Sequence, residues 1–280
     1  MIPAPFEYEV AESVEHALEL LGGDEDAKPL AGGHSLIPAL KLRIARPGRL
    51  VDVGRLDGLA YVRDGGDHVA IGALTRHRDV AASETLFAAC PIVAHAAAGI
   101  GDPQVRNRGT IGGALAHGDP ASDLPAVILA LGAQLVVRGP GGERTVPAAE
   151  FFRGVFETAV GPGELLTEVR VPHLGPSTGW SYRKFHRRAQ DWATVGVAAL
   201  VFRENGTVAG SSIALTNMGA TPVRADGAEA ALAAGASPAD AAERAADGTS
   251  PPADTAASAE FRAHLARVLT RRALEEALAR

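Results

Sequence analysis

The sequence predicts an α+β protein. A two-part α/β region spans residues 1–175, divided near residue 54 into 1–54 and 55–175, and a C-terminal region over 176–280 combines a three-stranded antiparallel sheet with helices. Three observations predict this. Short apolar strands alternate with capped helices over the first fifty residues. A Gly/Pro-rich break, Gly175-Pro-Ser-Thr-Gly179, follows a strand that ends at Pro172. Beyond it lie three strand-like runs, two of them joined by Asn205-Gly206, a residue pair suited to a type I′ hairpin.

Taken in order, Phe6, Tyr8 and Val10 alternate as a strand. Ser13 starts a helix with Val14, Ala17, Leu18 and Leu21 on one face, closed by Gly22-Gly23. Leu30 and Ala31 end a short buried strand. Gly32-Gly33 makes a turn, and Ser35 caps a helix with apolar Leu36, Leu40 and Ile44, stopped at Pro47. Leu50–Val53 completes this small α/β unit. Tyr61–Arg63 and His68–Ile71 read as a hairpin, Thr75 and Ser83 as caps of the next two helices, and Pro91–Ile100 as an Ala-rich helix. Leu124, Val127, Ile128 and Leu131 have helical spacing, with Ser122 or Asp123 as cap. A hairpin at Gln134–Arg138 and Glu143–Val146 and a strand at Leu165–Val171 follow. Strands at Ser181–His186, Val195–Phe202 and Val208–Thr216 form the second sheet. From Ala225 the chain reads as helical, broken at Ser250-Pro-Pro252 and closed by an amphipathic helix at Phe261–Leu278.

With 280 residues and 46% hydrophobic content, the chain buries a full core in two or three subdomains. Its net charge of −6 argues against a nucleic-acid surface. No apolar run reaches transmembrane length, and Met1–Val10 has no signal-peptide core, so a cytoplasmic protein is expected. The single cysteine, Cys90, excludes an internal disulfide and a cysteine-ligated iron–sulfur cluster within the chain. A redox role would therefore place other electron carriers on other chains.

Two double-glycine stretches carry the functional signal. Between Asp102 and Pro125, Gly109, Gly112, Gly113 and Gly118 fall close together, flanked by Arg106 and Arg108 and followed by a helix. Between Lys28 and Arg43 stands Gly32-Gly33. Glycine lets backbone approach a ligand closely, and successive free N–H groups form an anion-binding concavity. A glycine loop at a helix start suits a diphosphate. Neither stretch has the Gly-x-Gly-x-x-Gly or Gly-Lys-Ser/Thr fingerprint. Their separation suggests a dinucleotide held from two sides.

Ala31-Gly-Gly-His-Ser-Leu36, Thr110-Ile-Gly-Gly113 and Ala116-His-Gly-Asp-Pro120 together resemble the FAD-binding medium subunit of molybdenum hydroxylases. That family includes aerobic carbon monoxide dehydrogenase, to which the resemblance is closest, and the flavin domain of xanthine dehydrogenase. Gly163–Pro172, Arg187-Arg188 with Asp191-Trp-Ala193, and Ile213–Asn217 fall where the family has later motifs, so nearly the whole chain is covered. The resemblance implies a FAD-binding domain of the PCMH/vanillyl-alcohol-oxidase-like type followed by the C-terminal domain of the medium subunit. It implies FAD as cofactor, a large partner subunit carrying molybdopterin, and a small partner carrying two 2Fe-2S clusters. Electrons would pass from those clusters through FAD to an external acceptor. No residue is expected to act as a nucleophile or general base, and no metal is expected on this chain.

The resemblance also implies which residues meet the cofactor: Lys28, Ala31, Gly32, Gly33, His34, Ser35 and Leu36; Ile100, Gly101, Val105, Gly109, Thr110, Gly112, Gly113 and Ala114; His117, Ser122 and Asp123; then Leu166, Lys184 and Trp192. Ser35 is expected both to cap and to bind. Thr110 offers its hydroxyl to a phosphate or to its own turn. Ser122 and Asp123 close the site, and the acid suits a ribose or ribitol hydroxyl, since it would repel phosphate. His117, with Asp119 two residues on, lacks further ligands at zinc-site spacing and reads as a loop histidine near the cofactor. Arg106 and Arg108 neutralise the diphosphate, meet a partner subunit or are simply solvated. Lys184 reaches the flavin's polar edge. Two readings stand for Trp192, the flavin's face or ordinary core packing, and two for Leu166, flavin lining or buried strand. Arg183–Arg188 with His186 reads as a solvated or partner-facing edge.

Overall fold

The computed structural model describes all of residues 1–280. Its first unit runs β1 (Glu7–Val10), α1 (Val14–Gly22), β2 (Lys28–Leu30), α2 (Leu36–Lys41) and β3 (Arg49–Asp52). The three strands form a parallel sheet in the order β1-β3-β2. Ser13 caps α1 by accepting the His16 N–H at 3.1 Å, and Ala17 and Leu21 are buried against Val51 and Val53.

The second unit begins with β4 (Val62–Asp64) and β5 (His68–Gly72). Six helices follow: α3 (His77–Ala81), α4 (Glu84–Ala89), α5 (Pro91–Ala98), α6 (Pro103–Arg108), α7 (Ile111–His117) and α8 (Asp123–Ala130). Next come β6 (Gln134–Gly139), β7 (Gly142–Pro147), the short α9 (Ala148–Phe151), the small hairpin β8 (Phe152–Gly154) and β9 (Glu157–Thr158), and β10 (Leu165–Pro172). β10 enters between the two hairpins, giving a five-stranded antiparallel sheet ordered β4-β5-β10-β6-β7. α5 and α8 are apolar nearly all round, and both are buried in the middle of the molecule against Leu115, Leu135 and Val169.

The third unit is β11 (Thr178–Phe185), β12 (Val195–Glu204), β13 (Thr207–Thr216) and β14 (Val223–Arg224), then α10 (Asp226–Ala233), α11 (Pro238–Glu243) and α12 (Ala259–Ala279). β12 and β13 turn on Asn205 and Gly206, both at positive φ, as a type I′ hairpin requires. Both faces of this sheet are covered. Ala198, Leu200 and Ala214 join the central core, while Val197, Ala199, Ile213 and Leu215 pack on α12 through Leu265, Leu269 and Leu274. That two-sided burial explains why β12 reads as an unbroken apolar run. No helix is long and apolar enough to cross a membrane.

Several local expectations are corrected. The C-terminal sheet has four strands, because β14 adds a two-residue pairing along Ala214 and Leu215. The break before it is shorter than Gly175–Gly179, since β11 starts at Thr178. Thr75 caps nothing: its hydroxyl donates to Gly72 O and Tyr61 O at 2.7 and 2.8 Å, and α3 starts at His77. Ser35 and Ser122 stand at helix N-caps, yet neither side chain accepts a capping hydrogen bond. The glycine-rich stretch from Asp102 is no extended loop. Asp102 caps α6 and Thr110 caps α7, which puts Gly112 and Gly113 inside the first turn of a helix.

Candidate functional site

The two double-glycine segments meet. Gly32 is buried, and a Cβ placed on it would lie 2.3 Å from the Arg108 carbonyl oxygen and 2.9 Å from Gly109 Cα. Only glycine permits that crossing. Gly112 is buried in the same way against Ala73, 2.4 Å from where its own Cβ would stand. The second glycine of each pair behaves differently. Gly33 takes a φ of +75°, and Gly113 is exposed, its hypothetical Cβ meeting only Thr110 Oγ1 at 2.7 Å and Ala31 Cβ at 3.9 Å.

The backbone donors sort the two segments further. Ile111, Gly112 and Gly113 N–H groups donate to Thr75 O, Ala73 O and Thr110 Oγ1 at 3.0, 2.9 and 3.1 Å. Thr110's hydroxyl is thus used by its own helix. By contrast, the N–H groups of Gly32, Gly33, His34 and Ser35 meet no acceptor in the protein. Four consecutive free donors around a positive-φ glycine make an anion-binding concavity. The free-donor cradle therefore lies on the Gly32–Ser35 segment, with Gly113 of α7 beside Ala31 at its start.

Arginines surround this crossing. Arg106 donates to Ile100 O at 2.9 Å and so tethers the Ile100–Gly101 turn, against which Val105 packs. Arg76, unnoticed in the sequence, donates to the Arg108 carbonyl, and burial together with the Arg108 guanidinium lowers its pKa. His77, also unnoticed, is 3% exposed, donates its N–H to Gly109 O at 3.0 Å and leaves its ring Nδ1 without a partner. Burial pushes its pKa down from 6.5 to about 4, helped by Arg106 and His34. The folded state thus holds neutral imidazole, while the unfolded chain takes up a proton below pH 6.5. Stability from this group is full above pH 6.5 and is lost as pH falls through 4, a loss of about 3 kcal/mol. Urea melts at several pH values should show a shallower acid limb for His77→Gln than for the unmutated protein.

At the start of α8 stands a buried charge cluster. Asp123 is 3% exposed; it accepts from Tyr182 Oη at 2.6 Å and from Lys184 Nζ at 2.9 Å. Lys184 Nζ also donates to Gly99 O at 3.3 Å. Burial raises the Asp123 carboxyl against the pull of Lys184 and Tyr182, and burial likewise drives the Tyr182 phenol well above its ordinary value. Gly196 leaves room for the Tyr182 hydroxyl, which would lie 2.8 Å from a Cβ there. Asp123 and Lys184 were expected to face a ligand separately, and the structure pairs them. Tyr182 escaped the sequence reading, although strand alternation places it on the same face as Lys184.

The remaining positions divide. Lys28 is exposed on β2, while Ala31, Leu36 and Ala114 are half-buried around the crossing. His117 ends α7, its ring 4.9 Å from that of Phe156, with its pKa lowered by burial. Leu166 is a buried residue of β10 in the central core. Trp192 is 54% exposed, which removes the core-packing reading, and its neighbour Ala193 donates to Ala121 O at 3.3 Å. The Arg183–Arg188 edge is mixed, since Arg183 pairs with Glu276 of α12 at 2.8 Å.

Residues 4–174 match the family described as the FAD binding domain in molybdopterin dehydrogenase, and residues 180–277 match the CO dehydrogenase flavoprotein C-terminal domain. The chain belongs to this flavoprotein family. The carbon monoxide dehydrogenase medium chain of Hydrogenophaga pseudoflava is 47% identical over 233 residues, 83% of this chain and 81% of the relative. Subunit alpha of the 6-hydroxypseudooxynicotine dehydrogenase complex of Paenarthrobacter nicotinovorans is 46% identical over 231 residues, 82% of this chain and 78% of the relative. The structure of the Hydrogenophaga pseudoflava carbon monoxide dehydrogenase lacking the Mo-pyranopterin moiety superposes with a TM-score of 0.96 at 45% identity. That superposition covers 100% of this chain and 99% of its counterpart. This molybdopterin-dehydrogenase flavoprotein is therefore an oxidoreductase subunit with FAD as its cofactor. The free donors of Gly32–Ser35 fit the anionic diphosphate of that cofactor.

Proposed function

We propose that this chain holds FAD across the crossing of its two double-glycine segments and conducts electrons from a partner's 2Fe-2S clusters to an external acceptor. The run of four unpaired N–H groups from Gly32 to Ser35 carries the reading, because a dinucleotide diphosphate is what such a concavity takes. Gly113, with Ala31 and Thr110 beside it, lines the adjoining wall, and Ala114 and Gly109 continue that wall. Lys28, His34 and Leu36 border the nucleotide side. Ile100, Gly101 and Val105, tethered by Arg106, and the segment from His117 to Ser122 border the flavin side, with Leu166 beneath. Lys184, balanced by Asp123, presents a cation to the ring's polar edge, and Trp192 covers its face.

FAD supplies the redox chemistry when bound; the protein residues orient it and set its electrostatic surroundings. The substrate would be oxidised on a molybdopterin-carrying large subunit, and the clusters would reside on a small subunit, since this chain has one buried cysteine and no ligand set for them. A lone free cysteine fits a reducing, cytoplasmic setting. The test is the assembled complex, purified and scanned for a flavin spectrum, with the released cofactor identified by mass. FAD at one per copy of this chain is expected, together with no substrate oxidation by the chain alone. A flavin-free complex that also refuses added FAD would overturn the proposal.

A further inference from the structure

Trp192 combines two properties that rarely coincide. Its side chain is 54% exposed, while the backbone on its C-terminal side is held from several directions. Thr194 N–H donates to Phe185 O at 2.8 Å and Ala193 N–H to Ala121 O at 3.3 Å. Asn217, at the end of β13, adds the decisive links. Its Nδ2 donates to Ala193 O at 2.9 Å and Thr194 O at 3.3 Å, and its backbone N–H donates to Pro120 O at 2.9 Å. One 8%-exposed side chain and its own amide thus join the Trp192 segment to the loop that leads into Ser122 and Asp123. Asn217 does this from a left-handed conformation, φ +61°, which asparagine tolerates far better than branched residues. Behind it stands Arg262 of α12, 1% exposed, which donates to the Thr194 carbonyl and to Asp254 Oδ2 at 2.8 Å.

We propose that Asn217, backed by Arg262, is a positioning residue that clamps Trp192 over the flavin ring relative to the Pro120–Asp123 wall. The inference rests on the reading of Trp192 as the residue covering FAD. An exposed indole gains nothing from the protein core that would hold it, so its backbone must be fixed for the ring to meet a flat ligand in one geometry. The amide of Asn217 suits this: one donor satisfies the buried Ala193 carbonyl, which has no other donor, and a second joins Arg262 at the Thr194 carbonyl. The clamp also makes the flavin's surroundings depend on α12, through Arg262.

The experiment reads the two halves separately. In the full chain carrying Trp180→Phe, the only tryptophan left is Trp192, and its quenching by iodide reports its freedom. Asn217→Gly keeps the left-handed backbone and deletes the donors; Asn217→Asp keeps the shape and sets a carboxylate against two carbonyls. Both should raise the quenching constant by about twofold through local loosening, with far-UV dichroism unchanged. In the FAD-loaded complex, the same variants should alter flavin fluorescence and reoxidation rate in the direction of Trp192→Ala, at unchanged FAD content. Adding either variant to Trp192→Ala should change nothing more. Unchanged quenching in both folded variants would overturn the clamp. Freed Trp192 with an unaltered flavin signal, and no response to Trp192→Ala, would overturn the placement of Trp192 on the flavin and the proposal with it.

Discussion

Gly113→Val should leave the chain folded and strip it of FAD, whereas Gly112→Val, one residue earlier, should destabilise the fold itself. At position 113 the helix surface is exposed, and the added methyls would project from α7 beside Ala31, onto the surface where the proposed cofactor lies. The only protein atom crowded is Thr110 Oγ1, at 2.7 Å, so the damage to the protein is limited to a weakened cap of about 1 kcal/mol. At position 112 a side chain meets Ala73 Cβ at 2.4 Å and Ala73 O at 2.7 Å. It must push α7 off the Ala73–Thr75 segment and break the Gly112–Ala73 and Ile111–Thr75 hydrogen bonds. Overpacking with lost buried bonds costs about 3 kcal/mol or more. Denaturant melts and flavin content separate the two variants. Normal FAD content in folded Gly113→Val would remove that residue from the cofactor's wall.

The second large effect concerns the buried pair at α8. Asp123→Ala should destabilise the protein by about 3–5 kcal/mol, because it leaves the Lys184 ammonium buried without its counter-charge. Both side chains are nearly inaccessible, 7% exposed for Lys184 and 4% for Asp123, so little solvent screens the loss. It also deletes the acceptor of the Tyr182 hydroxyl, which is fully enclosed between Asp123 and β12. Removing both charges together, as Asp123→Leu with Lys184→Met, should recover a large part of the stability while FAD content stays low. A double-mutant cycle by thermal unfolding measures the coupling. Strict additivity of the two single changes would show that the pair contributes no mutual energy.

Much of this molecule is legible from local chemistry. The Asn205-Gly206 turn, the Ser13 and Ser83 caps and the all-apolar run of α8 each follow from nearest neighbours in the chain, and each stands where the sequence put it. The motifs around Gly32-Gly33 and Gly112-Gly113 resemble those of the flavoprotein family to which the chain belongs, although the glycine spacing alone carries little. The misreadings have different causes. Thr75 has the composition of a cap, but the Gly72 carbonyl three residues back and the Tyr61 carbonyl fourteen residues back take its hydroxyl instead. A strand of two residues, Val223–Arg224, carries too little periodicity to read.

The sequence by itself determined most of the elements, since propensity, capping and periodicity act within a few residues, and its motifs carried the resemblance to the family. Only the tertiary structure decided what each glycine is for. Gly32 and Gly112 are small because another stretch of backbone lies against them; Gly33 serves a left-handed turn, φ +75°, and Gly113 faces the open side of the crossing. Likewise, only folding paired Asp123 with Lys184 and joined Asn217 to the Trp192 segment, partners separated by 61 and by 24 residues in the chain. A glycine's missing side chain and a carboxylate's charge are fixed in one dimension. What fills the space or answers the charge comes from segments that meet only when the sheets and helices pack.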